Sequence, residues 1–201
     1  MTKLPLKEIV FETGVDGTGV FAMSVVKDPA IKKTYVYFSE HKPLKFAIQS
    51  EEKRIIFAPA LIPDMEVYRE MNGEKFNLTV SRETIENIAV DFLKNNRANQ
   101  VNLEHKEVSG QPAVIDGVTM FQFLLTDEHT CKSVVGYEDL PVGTWFIGAK
   151  VNNDQVWHGV KDGTFTGWSI HAIFDAKPVN LSVLETNDIE LVLKEYFTKN
   201  S

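Results

Sequence analysis

Two short segments of the chain carry side chains that could work together on a bond: Asn102-Leu103-Glu104-His105-Lys106 and Gly163-Thr164-Phe165-Thr166-Gly167-Trp168-Ser169-Ile170-His171. A serine hydroxyl becomes a nucleophile only when a base within hydrogen-bond reach takes its proton. Histidine suits that task because its unperturbed pKa lies near neutrality. Read as a strand, the second segment turns Trp168 and Ile170 to one side and Ser169 and His171 to the other. The first reads as a short strand, Val101 to His105, in which Leu103 and His105 share a face. Either histidine could serve as the base. The bland alternatives are a structural hydroxyl at Ser169 and a core histidine at His105 satisfied by one hydrogen bond, and residue types alone leave both readings open. Residues two apart on a strand are separated by about 6.5 to 7 Å, too far for direct Ser169–His171 bonding. That separation matches the span from a nucleophile to the third member of a triad across an intervening imidazole. His105 as base and His171 as its orienter is therefore a coherent arrangement.

Other chemistries find weaker footing. His41, His105, His129, His158 and His171 are scattered, without His-x-His, His-Glu-x-x-His or a cysteine pair, so no metal and no cofactor is expected. Cys131 has His129 nearby in sequence and could be a nucleophile, but an unreactive loop thiol is the favoured reading because the catalytic signals gather elsewhere. Glu51-Glu52, Asp127-Glu128 and Glu138-Asp139 read as solvated acidic turns rather than a nuclease cluster. Gly14-Val15-Asp16-Gly17-Thr18-Gly19 reads as a turn, since a strand-like run and not a helix follows it. Lys and Arg total 21 against 28 Asp and Glu, and the longest basic runs are pairs, so nucleic acid is not an expected partner.

Elements must hold the two segments together. Ser81 is a candidate N-cap for a helix with Ile85, Ile88, Ala89, Phe92 and Leu93 on one face, suited to covering a sheet. Asn72-Gly73 marks a turn before the alternating run Phe76 to Val80, and Pro59 argues for a strand end or bulge in the apolar run 54–62. Further strands are expected at Val20 to Val26, Tyr35 to Phe38, Val118 to Leu125, Thr144 to Val151 and Phe165 to Phe174. A short helix capped by Asn153 or Asp154 closes at Gly163, and a tail helix is expected over 188–197. Strands outnumber helices without alternating with them, which predicts an α+β fold with a mainly antiparallel sheet or barrel and flanking helices. Residues 1–50 are expected to form a β-rich appendage and 51–201 the main domain. The start lacks a basic region followed by a long apolar core, and no apolar stretch approaches about 18 residues, so neither an export signal nor a membrane span is expected. With one cysteine in 201 residues, a reducing, intracellular setting fits.

Taken in order, several pieces resemble phage prohead proteases of the XkdF type, a branch related to the capsid-maturation proteases of tailed phages and herpesviruses. They are Ala58-Pro59-Ala60-Leu61-Ile62-Pro63-Asp64 with Val67-Tyr68-Arg69, Glu83-Thr84-Ile85-Glu86, and Val101 to His105. Gly143-Thr144-Trp145-Phe146, Val156-Trp157 with Val160-Lys161 and Gly163, and Gly167-Trp168-Ser169-Ile170 complete the set. Val25-Val26-Lys27-Asp28-Pro29-Ala30 is similar to the family's N-terminal portion. The resemblance implies a herpesvirus-protease-like fold, with Ser169 as nucleophile and His105 as general base. It implies metal-free cleavage of scaffold and major capsid protein segments inside the assembling prohead, in the host cytoplasm, with the portal as a further neighbour and a homodimer by analogy. Relatives often carry an acidic residue at the position of His171, whereas herpesvirus relatives use Ser-His-His; Asp127 and Asp175 are competing orienters. The rival reading is a phage head structural or scaffold-associated protein that kept the fold and lost activity.

Overall fold

A computed structural model of the protein describes residues 4–12, 17–29 and 46–179. The expected strand at Tyr35–Phe38, the histidine at position 41 and the expected tail helix over 188–197 lie outside these residues. The strands are β1 (Leu6–Val10), β2 (Gly19–Val26), β3 (Ala47–Ser50), β4 (Ile55–Leu61), β5 (Val67–Met71), β6 (Glu74–Thr79) and β7 (Val101–Leu103). They continue with β8 (Glu107–Val108), β9 (Gln111–Pro112), β10 (Val118–Leu125), β11 (Trp145–Val151), β12 (Gly167–Ile173) and β13 (Asp175–Pro178). Among the described residues two α-helices, α1 (Arg82–Lys94) and α2 (Asp154–Lys161), accompany them. The fold is mostly β, and its sheets stay open rather than closing into a barrel: β13-β1-β6-β5, β10-β11-β4-β3, β12-β2-β7 and the β8-β9 ribbon.

Local chemistry accounts for the elements. Asn72 and Gly73 both adopt left-handed backbone, with φ of 52° and 80°, which lets two residues join β5 to β6 while Met71 pairs with Glu74. Ser81 caps α1 by accepting from the Thr84 amide at 3.3 Å, and Ile85, Ile88, Ala89 and Phe92 form its buried face. Phe92 meets Trp145 edge-on with ring centroids 5.6 Å apart; truncating it to alanine would cost about 3–5 kcal/mol. Asn153 caps α2 in the same way, through the Val156 amide. Pro59 pairs opposite Phe146 beside a register shift, the bulge its missing N–H calls for.

The sheet β10-β11-β4-β3 is apolar on both faces, so its inner strands read as almost continuous hydrophobic runs. Ile56, Ala58, Trp145, Ile147 and Ala149 enter the main core. Phe57 and Phe146 stack at 5.3 Å in a smaller core on the other side, with Ile62 and Leu140. Trp168 of β12 ties the third sheet to this one by donating its Nε1–H to the Ile147 carbonyl at 3.2 Å.

The expected appendage over 1–50 does not describe residues 4–12 and 17–29. β2 is the middle strand of its sheet, pairing antiparallel with β12 and parallel with β7, and its Val20, Met23 and Val25 belong to the main core. β1 likewise pairs with β6 and β13. The run Val20 to Val26 is too apolar to leave in water, and only partners distant in sequence can cover it.

Candidate active site

The three-stranded sheet β12-β2-β7 has two chemically distinct faces, as the strand period requires. On one, Trp168, Val25 and Leu103 lie side by side, followed by Ile170, Met23 and Val101, all joined to the main core. On the other, Ser169, Ser24 and Asn102 occupy a single rung across the three strands, with His171 two residues along β12 from Ser169. Ser24 and Asn102 are wholly inaccessible to solvent.

His105 reaches this polar face by an unusual route. β7 ends at Leu103, so His105 is not a strand residue sharing a face with Leu103 as the pattern suggested. Glu104 and His105 instead adopt consecutive left-handed conformations, φ 51° and 55°, each costing an L-residue about 1–2 kcal/mol. The turn is held by the Glu104 amide on the Val25 carbonyl (3.1 Å), the Lys106 amide on the Leu103 carbonyl (3.0 Å) and the Lys27 amide on Glu104 Oε1 (2.6 Å). Such strain persists only where surrounding structure overdetermines it, a pattern concentrated at functional sites. Its effect is to fold the imidazole back over the rung.

There, His105 Nε2 lies 3.0 Å from Ser169 Oγ, and His105 Nδ1 lies 3.0 Å from Ser24 Oγ. Ser24 in turn donates to Asn102 Oδ1 at 2.5 Å. Asn102 Nδ2 faces the Lys106 carbonyl and His171 Nδ1, each at 3.2 Å, and His171 Nε2 meets Glu107 Oε1 at 3.0 Å. One backbone carbonyl orients the whole chain. Lys106 O can only accept, so the Asn102 amide must present Nδ2 there and Oδ1 to Ser24. Ser24 spends its single proton on that oxygen and must accept from His105 Nδ1–H. His105 Nε2 is left unprotonated, facing the Ser169 hydroxyl. This is the tautomer a general base needs.

Residues 45–177, two thirds of the chain, match the family described as "Putative phage serine protease XkdF". The chain belongs to that family. No curated protein and no solved structure matches. The matched span contains His105, Asn102, Ser169 and His171, while Ser24 comes from β2, outside it.

Within this family member, the residues singled out from sequence divide cleanly. Ser169 and His105 are brought together. His171 is not the direct orienter of His105: the rings stand 5.8 Å apart between centroids, and Ser24 occupies the Nδ1 side. His171 joins the same network two steps later, through Asn102. Asp127 and Asp175 take no part. Asp127 accepts from the His129 and Thr130 amides and the Thr130 hydroxyl of its own loop, which holds its carboxyl down to about 2. Asp175 is exposed on β13, opposite Val10. Cys131 sits in the Asp127 loop, its Sγ on the Ser133 carbonyl, and His158 is exposed on α2. Sequence reasoning missed Ser24, Asn102 and Glu107. The available signal for Ser24 was a lone hydroxyl in the apolar run Val20 to Val26, on the face opposite Met23 and Val25.

Burial lowers the pKa of His105 below its ordinary 6.5; the nearby charges of His171 and Arg69 push the same way, and Glu104 opposes them. His105 as a whole is an exposed residue, so the effect is moderated rather than removed. His105 is therefore neutral at neutral pH.

Proposed function

We propose that the chain is a serine endopeptidase of phage head assembly, cleaving segments of scaffold and major capsid protein, with Ser169 as nucleophile and His105 as general base. The observation that carries this reading is the 3.0 Å approach of Ser169 Oγ to an unprotonated His105 Nε2. In the acylation step His105 Nε2 takes the Ser169 proton as Oγ attacks the peptide carbonyl carbon. The imidazolium then gives that proton to the leaving amine nitrogen, and the peptide bond breaks to leave an ester on Ser169. Water, deprotonated by the same nitrogen, hydrolyses the ester and restores the hydroxyl. Ser24 is the third member: it fixes the imidazole's orientation and tautomer, but as a neutral acceptor it stabilises the imidazolium less than a carboxylate would.

The same proposal takes in work inside the prohead in the host cytoplasm, proximity to the portal and a homodimeric state, suggested by the family's phage origin. Kinship with the herpesvirus assembly proteases is supported by a second histidine, His171, in the same hydrogen-bond network as the serine–histidine pair. The test is co-expression with the phage's scaffold and major capsid protein, comparing wild type with Ser169→Ala and His105→Ala by intact mass. Cleavage present in wild type and absent from both variants supports the reading. Identical masses in all three, with the proteins folded, would favour an inactive head protein that kept the fold.

A further inference from the structure

A cavity of about 340 Å³ adjoins the nucleophile, between β12 and the sheet containing β5 and β6, with Ser169 in its lining. Protein interiors close-pack and leave few voids larger than a water, whereas ligand pockets start at roughly 300 Å³. This space has the size of a pocket rather than of a packing flaw. Leu61, Ile62 and Val80 form a buried apolar lining, and Leu78, Ile170 and Met65 are half-buried around it. Its charged groups, Arg69 and Glu70, both belong to β5, where Glu70 and Met71 are exposed. Away from Arg69 and Glu70 on its β5 side, a charged side chain would lose its hydration without gaining a partner, and a glycine would leave the space unfilled.

We propose that this cavity is the specificity subsite of the enzyme and receives a bulky apolar side chain (Leu, Ile, Met or Phe) flanking the scissile bond. The inference rests on the protease reading and adds the substrate class to it. Ser169 belongs to the lining although its hydroxyl stands on the other face of β12 from Trp168 and Ile170, so cavity and nucleophile meet at the outer edge of that strand, within reach of a side chain beside the attacked carbonyl. Ala172, also in the wall, is small and half-buried, which makes cavity volume adjustable by one substitution.

The test separates the two layers. Labelling the full chain with a fluorophosphonate, located on Ser169 by mass spectrometry, reports the nucleophile without using the cavity. Digestion of a defined peptide mixture, with the cut sites mapped on both sides of each bond, reports the subsite. The expected result is Ser169 labelling together with at least about tenfold enrichment of bulky apolar residues at one flanking position, the scale on which one methylene is discriminated. Ala172→Leu should shift that position toward smaller residues and Leu78→Ala toward aromatic ones. Both are read as preference ratios within each variant, so the amount of folded enzyme does not enter. Should neither variant fold, the wild-type map alone decides. A labelled enzyme that cuts nothing, cuts without apolar preference, or keeps its preference in a folded Ala172→Leu variant would overturn the subsite. Absence of labelling at Ser169 would remove the protease reading, and the subsite with it.

Discussion

The rung of Ser169, Ser24 and Asn102 and the loop around Asp127 are both dense hydrogen-bond networks, yet they are built for different ends. Asp127 is half-buried in a surface loop, gathers donors from Thr130 and His129, and turns a string of residues into a stable loop. Its carboxyl is strongly perturbed and touches no base. The rung is assembled from three strands, two of its members are inaccessible, and its neighbour His105 is held in a strained backbone. The more perturbed group is the structural one. What marks the proposed active site is a chain of donors and acceptors with one consistent direction, ending on an unprotonated nitrogen beside a hydroxyl.

Substitutions can break that contrast in order of size. Ser169→Ala or His105→Ala should abolish peptide cleavage, a loss of at least about 10³-fold in kcat/KM. Ser169→Ala should leave thermal unfolding nearly unchanged, because the hydroxyl supports no buried partner. Asn102→Leu should cost both activity and stability, the latter by about 1–3 kcal/mol, since Ser24 and the Lys106 carbonyl lose their partners; chemical denaturation measures it. Ser24→Ala is the sharper probe. It should lower kcat by about 10–100-fold with KM little changed, because His105 loses its orienting acceptor but no substrate contact disappears.

Acidity offers a subtler contrast. The His105 cation is disfavoured in the fold, so its folded pKa lies below 6.5 and the acid limb of kcat/KM should fall below the ordinary histidine range. The unfolded chain takes up that proton first, so this group also subtracts stability as pH drops through the ordinary range. His171→Gln removes one lowering charge and should move the limb upward by a fraction of a pH unit. Asp127 behaves oppositely. Its folded pKa of about 2 lies under the unfolded 3.8, so its contribution is present above the unfolded value and lost as pH falls toward 2. Asp127→Asn should flatten acid unfolding there, with cleavage at neutral pH unchanged.

Much of the scaffold was legible in the sequence because its signals are local. The Ser81 cap, the apolar stripe from Ile85 to Phe92, the Asn72-Gly73 turn and the core face of Trp168 and Ile170 each follow from residues a few positions apart. The strand carrying Ser169 could be oriented from its alternation alone. The partners of His105 could not. Ser24 reads as one hydroxyl in an apolar run until β2 is seated between β12 and β7, and no short-range pattern specifies a parallel pairing. The left-handed turn at Glu104 and His105 was equally hidden, since neither residue is a glycine whose presence would announce it.

The placement of Ser24 has a kinetic corollary. Its bond to Asn102 spans 78 residues and its bond to His105 spans 81, and the nucleophile arrives 64 residues beyond His105. Closing such long loops is slow and rewarded only at the end. No fragment of the chain shorter than the stretch from β2 through β12 holds all three groups. In the enzyme proposed above, nucleophile, base and orienting serine come together only once β2, the β7 turn and β12 are all in place.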